Sequence, residues 1–207
     1  KKTYWSSYKK YEGSFGMIKI GILGSTKGTD VNPIAEAILS GDLDASIEII
    51  ITNNERALIL DKAKKYGVDF SIINHKNKSR EEFDQQISKK LVEKEVDLVL
   101  LIGFMRILST PFIEKWNKKI LNVHPSLLPK YAGGMNNSVH ESVLENKDKE
   151  TGCTIHLVTS QVDGGPILVQ KKCRVFKNDT VESLKERVQQ LEGEAFIESI
   201  KSWGKNE

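Results

Sequence analysis

The chain has 207 residues, of which 31 are Lys or Arg and 28 are Asp or Glu, a formal net charge of +3. With 39% hydrophobic and 29% charged residues, disorder over the bulk of the chain is excluded, and so small a net charge disfavours a dedicated nucleic-acid binder. No apolar run approaches the ~20 residues of a membrane span, the two cysteines (Cys153 and Cys173) are too few for a disulfide framework, and the four histidines lack metal-ligand spacing. These features set the expectation of a cytoplasmic protein that uses no metal and contacts neither membrane nor nucleic acid.

Residues 1–16, KKTYWSSYKKYEGSFG, are basic and aromatic without an apolar stretch, so they are no secretory signal. They read as an N-terminal extension, a disordered leader or a vector-derived tail, with Met17 as the natural start. From there, Ile18–Leu23 reads as a buried strand, Pro33 opens the helical stretch IAEAIL, and Ser46–Thr52 is a second strand. Glu55–Tyr66 is helical with Gly67 as its C-cap, and Asp69–Ile73 is a third strand. Ser79-Arg80-Glu81-Glu82 forms a capping box opening an amphipathic helix to about Glu95, and Val96–Ile102 is a fourth, almost wholly apolar strand.

Alternation of this kind predicts an α/β fold: a single doubly wound, mostly parallel sheet with helices on both faces and ligands at the carboxyl ends of its strands. After Gly103 the alternation stops. A loop-rich stretch spans Leu121 to about Asn137, and a helix is expected over Ser138–Leu144. Thr154–Thr159 and Ile167–Val175 read as an antiparallel pair near the C-terminal end, and Thr180–Trp203 as a closing helix.

Four places can carry chemistry. The turn Gly24-Ser25-Thr26-Lys27-Gly28-Thr29-Asp30 offers backbone N–H groups and a helix N-terminus to an anion, with Lys27 as a point charge. It fits neither a Walker A loop nor a dinucleotide fingerprint, and a plain tight turn explains it equally well. In Asn122-Val123-His124-Pro125, the period of two along an extended segment puts Asn122 and His124 on one face. An amide and an imidazole side by side suit a site where negative charge develops on oxygen, and His also transfers protons near neutral pH. Asp163, in Asp-Gly-Gly-Pro, taken alone is a turn residue capping its own backbone; beside His124 it would raise the imidazole pKa and orient the ring. The stretch Gly103–Leu108 follows a strand end and lines either a pocket for a flat ligand or the core. His140 and His156 read as structural, and both cysteines as free thiols.

The stretch Asn122-x-His124-Pro-Ser-Leu-Leu-Pro129, preceded by Gly103-Phe-Met-Arg-Ile-Leu-Ser109 and followed by Asp163-Gly-Gly-Pro166 and Arg187-Val-Gln-Gln-Leu-Glu192, resembles the folate-dependent formyltransferases over about Met17 to Trp203. The resemblance implies one Rossmann-like formyltransferase domain over residues 17–207. It implies formyl transfer from 10-formyltetrahydrofolate to the amine of glycinamide ribonucleotide in purine synthesis, by a monomer or homodimer. It assigns catalysis to Asn122, His124 and Asp163. It assigns the ribonucleotide and its phosphate to Lys27, Gly28, Thr29, Asp30, Gln189, Gln190, Leu191 and Glu192. Folate contacts fall on Arg80, Met105, Arg106, Ile107, Leu108 and Asn122, and on the loop Thr159, Ser160, Gln161, Val162 and Asp163.

Two departures stand out: Asp30 replaces a neutral amide beside the phosphate, with Lys27 the compensating charge, and Ala132–His140 replaces a Pro-Gly loop. Related functions make different demands. A tRNA-directed formyltransferase carries a further C-terminal domain, and formyltetrahydrofolate deformylase, with water as acceptor, carries an N-terminal regulatory one. Neither is expected here, because the chain runs only to its last predicted helix and residues 1–16 are short. A non-catalytic nucleotide-binding module would keep the 24–30 turn without needing Asn122, His124 and Asp163 together.

Overall fold

A computed structural model describes residues 17–134 and 137–203, and the 1–16 extension lies outside them. The chain divides into two compact units, the first running to Arg106 and the second beginning at Ile107.

The first unit contains β1 (Ile18–Leu23), α1 (Val31–Leu39), β2 (Ala45–Thr52), α2 (Ile59–Tyr66), β3 (Phe70–Ile72), α3 (Arg80–Glu93) and β4 (Leu98–Leu101). Its strands lie in the order β3-β2-β1-β4, and every pairing is parallel. Parallel strands with helical crossovers are covered on both faces, so they carry apolar residues at successive positions rather than at alternate ones. Accordingly Ile22 and Leu23 on β1, Ile50 and Ile51 on β2 and Leu98, Val99 and Leu100 on β4 are all fully buried. Ile34 from α1, Ile59 from α2 and Phe83, Ile87 and Leu91 from α3 complete this core, each large apolar side chain contributing about 1.5–3 kcal/mol on burial.

Local signals placed most of these elements within a residue or two. The capping box forms in full: Glu82 N–H donates to Ser79 Oγ at 3.1 Å, and Ser79 N–H donates to the Glu82 carboxylate at 2.8 Å. Gly67 closes α2 at φ 67°. Two starts differ from expectation. Helix α2 begins at Ile59 rather than Glu55, because Asn54 folds residues 54–57 into a turn, its side chain accepting from Arg56 N–H and its carbonyl from Ala57 N–H. Helix α1 begins two residues before Pro33, which still lies in the first turn where a backbone donor is not required.

The second unit contains α4 (Thr110–Lys115), β5 (Ile120–His124), α5 (Asn137–Glu145), β6 (Glu150–Leu157), β7 (Ile167–Arg174) and α6 (Val181–Trp203). Its strands run β5-β6-β7, with antiparallel pairing throughout. Helix α4, a six-residue turn with a proline at its start, was not anticipated. Strand β6 starts four residues earlier than expected, since pairing along Glu150↔Arg174 to Cys153↔Lys171 overrides the weak strand propensity of its first residues. Helix α6 turns a stripe of Leu184, Val188, Ala195, Phe196 and Ile200 inward at helical spacing, against β6, β7 and α5. Mostly parallel strands, helical crossovers and an antiparallel C-terminal part make up the expected α/β class. Among the described residues no helix is long and apolar enough to cross a membrane.

Candidate active site

Strand β5 ends at His124, and the chain then leaves the sheet at Pro125. Its antiparallel partner β6 sets Asn122 opposite His156 and His124 opposite Thr154. Residues directly opposite in an antiparallel pair share a face, so Asn122, His124, Thr154 and His156 form one polar patch two residues wide and two strands deep. Thr154 fixes the segment after His124: its hydroxyl donates to Ser126 O at 2.6 Å and accepts from Leu128 N–H at 3.0 Å. Gln170 on β7 donates to the same hydroxyl oxygen and to Leu128 O, both at 2.9 Å.

Asp163 reaches the patch from the β6–β7 connection. A side chain at Gly165 would place its Cβ 1.8 Å from Leu157 O, so only glycine lets the loop fold back onto the end of β6. Asp163 itself sits at φ 51°, a left-handed conformation that Asp tolerates better than most residues and that recurs at functional sites. This turn brings Asp163 Oδ2 to 3.2 Å from His124 Nδ1 and Oδ1 to 3.6 Å from His156 Nε2. Asn122 Nδ2 lies 3.1 Å from His156 Nε2, and His156 Nδ1 lies 3.0 Å from Leu157 O. The loop 131–133 closes over the pair: Tyr131 O is 2.9 Å from His124 Nε2, and Gly133 N–H donates to Asp163 Oδ2 at 2.8 Å.

Both ring nitrogens of His124 therefore face oxygens that can only accept. Nothing but a doubly protonated ring satisfies both, yet the side chain is 4% exposed and burial disfavours charge. Burial dominates and holds the His124 pKa below the ordinary imidazole value, while the Asp163 carboxylate and the Tyr131 carbonyl push it up and His156 adds to the lowering. Asp163 thus acts in the direction expected from the sequence, but it does not prevail. The outcome is an imidazolium that gives up its proton readily. For Asp163, burial works to raise the pKa, but His156, the Gly133 N–H and the charge of His124 together hold it below the usual carboxylate range.

The structure thus gathers Asn122, His124 and Asp163, and adds His156, which reads as structural from the sequence. The signal that would have found it is the antiparallel register, which equates positions 122 and 156. His140 is buried elsewhere in the second unit: its Nδ1 makes no hydrogen bond among the described residues, and burial, then Lys185, lowers its pKa to about 4. Cys153 and Cys173 form no disulfide and are offset by two positions across the β6–β7 ladder.

The remaining site residues from the sequence lie as follows. In the 24–30 turn, Lys27 is exposed, Thr29 half-buried and Asp30 buried at the start of α1. Gly28 has φ 62°, and a Cβ there would fall 2.4 Å from Ile59 Cγ1. Ser25 Oγ ties this turn to both neighbouring strand ends, donating to Asn53 Oδ1 at 2.6 Å and accepting from Met105 N–H at 3.1 Å. Arg80 is exposed in the first turn of α3, and Arg106 stacks its guanidinium 4.8 Å from the Phe83 ring centre. Met105 and Ile107 are exposed, whereas Leu108 is buried. Thr159 is half-buried at the start of the Asp163 loop, with Ser160, Gln161 and Val162 exposed. On α6, Gln189 and Leu191 are half-buried, Gln190 is exposed, and Glu192 is buried, which raises its carboxyl pKa to about 7 against the pull of Lys185. Among the described residues no three His, Cys, Asp or Glu side chains are grouped so as to hold a metal.

An α/β chain whose strand-end histidine is paired with a loop carboxylate and flanked by an amide has the equipment of an acyl-transfer enzyme. Residues 18–200 match the family described as formyl transferase, and the chain belongs to that family. It is 38% identical over 186 residues to phosphoribosylglycinamide formyltransferase of Haemophilus influenzae, covering 89% of this chain and 86% of that protein. It is 42% identical over 179 residues to the trifunctional purine biosynthetic protein adenosine-3 of Homo sapiens; this covers 86% of the chain but only 17% of that longer protein. Among solved structures, glycinamide ribonucleotide transformylase 1 from Symbiobacterium toebii superposes with a TM-score of 0.89 at 34% identity, covering 97% of this chain and 94% of that one.

Proposed function

We propose that this chain transfers the formyl group of 10-formyltetrahydrofolate to the amine of glycinamide ribonucleotide, a step of purine synthesis. The observation that carries the reading is the buried His124–Asp163 pair, 3.2 Å apart, with Asn122 on the same strand face. In the first step the acceptor amine attacks the formyl carbon and the carbonyl electron pair moves onto oxygen. Asn122 Nδ2 and protonated His124 donate hydrogen bonds to that oxygen, which takes the place held here by the Tyr131 carbonyl. In the second step the carbonyl re-forms, the bond from carbon to the folate nitrogen breaks, and His124 gives its proton to the leaving nitrogen. Asp163 steadies the imidazolium and accepts the proton that the attacking nitrogen sheds, directly or through a water.

Within the first unit we assign the ribonucleotide phosphate to Lys27, Gly28, Thr29 and Asp30, and folate contacts to Arg80, Met105 and Arg106. Within the second, folate contacts fall on Ile107, Leu108, Asn122 and residues 159–163, and ribonucleotide contacts on residues 189–192. Two cysteines outside any disulfide fit a reducing compartment, and we place the reaction in the cytoplasm.

The test is to mix the purified protein with 10-formyltetrahydrofolate and glycinamide ribonucleotide and follow loss of the formyl donor by absorbance. A signal that requires the ribonucleotide is expected. A signal without it would replace the amine by water as acceptor, and silence in both arms would overturn the reading.

A further inference from the structure

Building on the formyl-transfer reading, we propose that His156 is a positioning residue of the site, its ring fixing the orientation of the Asn122 amide. Its place is defined from three sides. Nδ1 lies 3.0 Å from Leu157 O, an atom that can only accept, so the proton of the neutral ring belongs on Nδ1. Nε2 then carries a lone pair, and the Asn122 atom facing it at 3.1 Å must be the amide nitrogen. The second N–H of that amide is left to point at the reacting oxygen. Without His156 nothing in the 122–156 pair prevents the amide from turning over, and a carbonyl oxygen would then meet the oxygen on which negative charge develops. The same Nε2 is 3.6 Å from Asp163 Oδ1, beyond hydrogen-bond reach, while Oδ2 serves His124 and the Gly133 N–H.

A histidine kept only for packing has no need of this arrangement. His156 is 2% exposed, its backbone lies in β6, and its Nδ1 is satisfied by the neighbouring carbonyl of its own strand. The remaining nitrogen is turned toward two groups of the site. The titratable groups facing it are Asp163 from the β6–β7 loop and His124 from β5.

The experiment compares H156Q, H156N and H156L. Gln carries its amide to about the position of Nε2, whereas Asn reaches only about Nδ1. The expected result is a fall in kcat of about 10- to 100-fold in H156N and H156L, the scale of a ~1 Å misplacement at a reacting centre, with much of it restored in H156Q. The ribonucleotide KM should stay within about twofold, since binding as such is untouched.

Nitrogen-15 NMR of the histidine rings supplies a readout independent of formyl transfer: the proton of wild-type His156 should be on Nδ1, with Nε2 unprotonated. If the protein transfers no formyl group but these ring signals behave as stated, the positioning geometry survives and the function falls. If the wild-type proton is on Nε2, or if the variants melt earlier with Gln no better than Asn, His156 only packs and the proposal is overturned.

Discussion

The two units of the chain put their strands to opposite uses. In the first, parallel strands are covered on both faces, and β1, β2 and β4 spend their interior positions on Ile, Leu and Val. No strand interior is left for chemistry there, and the candidate ligand groups sit in turns and helix starts: Lys27 to Asp30, Arg80, Met105 and Arg106. In the second, antiparallel strands put polar side chains side by side, and Asn122, His124, Thr154 and His156 occupy four adjacent positions of one ladder. A turn can offer backbone N–H groups to an anion, but proton transfer needs side chains held at fixed distances. Cross-strand register sets the spacing of the ladder side chains, and the β6–β7 loop adds Asp163 to them.

Substitutions can break this contrast, and the largest effects belong to the ladder and its loop. His124→Ala and Asp163→Ala should each lower turnover at least ~100-fold in a steady-state formyl-transfer assay, the usual scale for losing a positioned acid–base group. Near-normal turnover in either variant would remove that residue from the chemistry. Gly165→Ala comes next: its new methyl meets the Leu157 carbonyl, part of the backbone and unable to swing aside, so we expect about 1–3 kcal/mol of destabilisation and loss of the Asp163 contact, read by urea unfolding and turnover together. Gly41→Ala is the control. It meets nothing within 4 Å and suffers only the left-handed backbone penalty of roughly 1–2 kcal/mol.

Glu192→Gln has a smaller effect whose sign depends on pH. The folded carboxyl pKa is raised by burial to about 7, above its unfolded value, so stability falls as pH rises from the ordinary carboxylate range through 7. The amide should therefore raise Tm at pH 8, by about 2–4 °C for each kcal/mol recovered, with the gain closing toward pH 4. His140 has the opposite sign. Its folded pKa, about 4, lies below the unfolded value, so its stabilising contribution is present above the ordinary imidazole range and is lost as pH falls toward 4. Melting curves of the Gln variant should show that remaining slope. The smallest change is Lys27→Ala, which should raise the ribonucleotide KM more than it lowers kcat if Lys27 is an exposed partner of the phosphate; an unchanged KM would leave the 24–30 segment a plain turn.

Legibility from sequence follows the same division. The Ser79–Glu82 capping box, the Gly67 cap and the apolar run of β4 are local signals, each decided within a few residues, and they were readable one at a time. Asn122 and His124 were legible as neighbours because they are two apart on one strand. The place of His156 was not, since it depends on a pairing across 34 residues of sequence that no local period encodes. Helix α4 escaped for another reason: six residues are too few to show a helical period, and its proline resembles a loop residue until the chain after it is seen to turn. The dominance of burial over Asp163 in setting the His124 pKa was equally hidden, because it depends on how much protein surrounds the ring.

One contact bears on inhibition. The Tyr131 carbonyl and the Gly133 amide, two residues apart, satisfy His124 and Asp163 from a single stretch of backbone. The protein thus bars its own acid and base with a peptide, a built-in decoy for the acyl group they act on. Any productive ligand has to outcompete that decoy, so part of its intrinsic affinity goes into eviction. A compound that copies the spacing of that carbonyl and N–H on a rigid frame would begin with the geometry that His124 and Asp163 already accept.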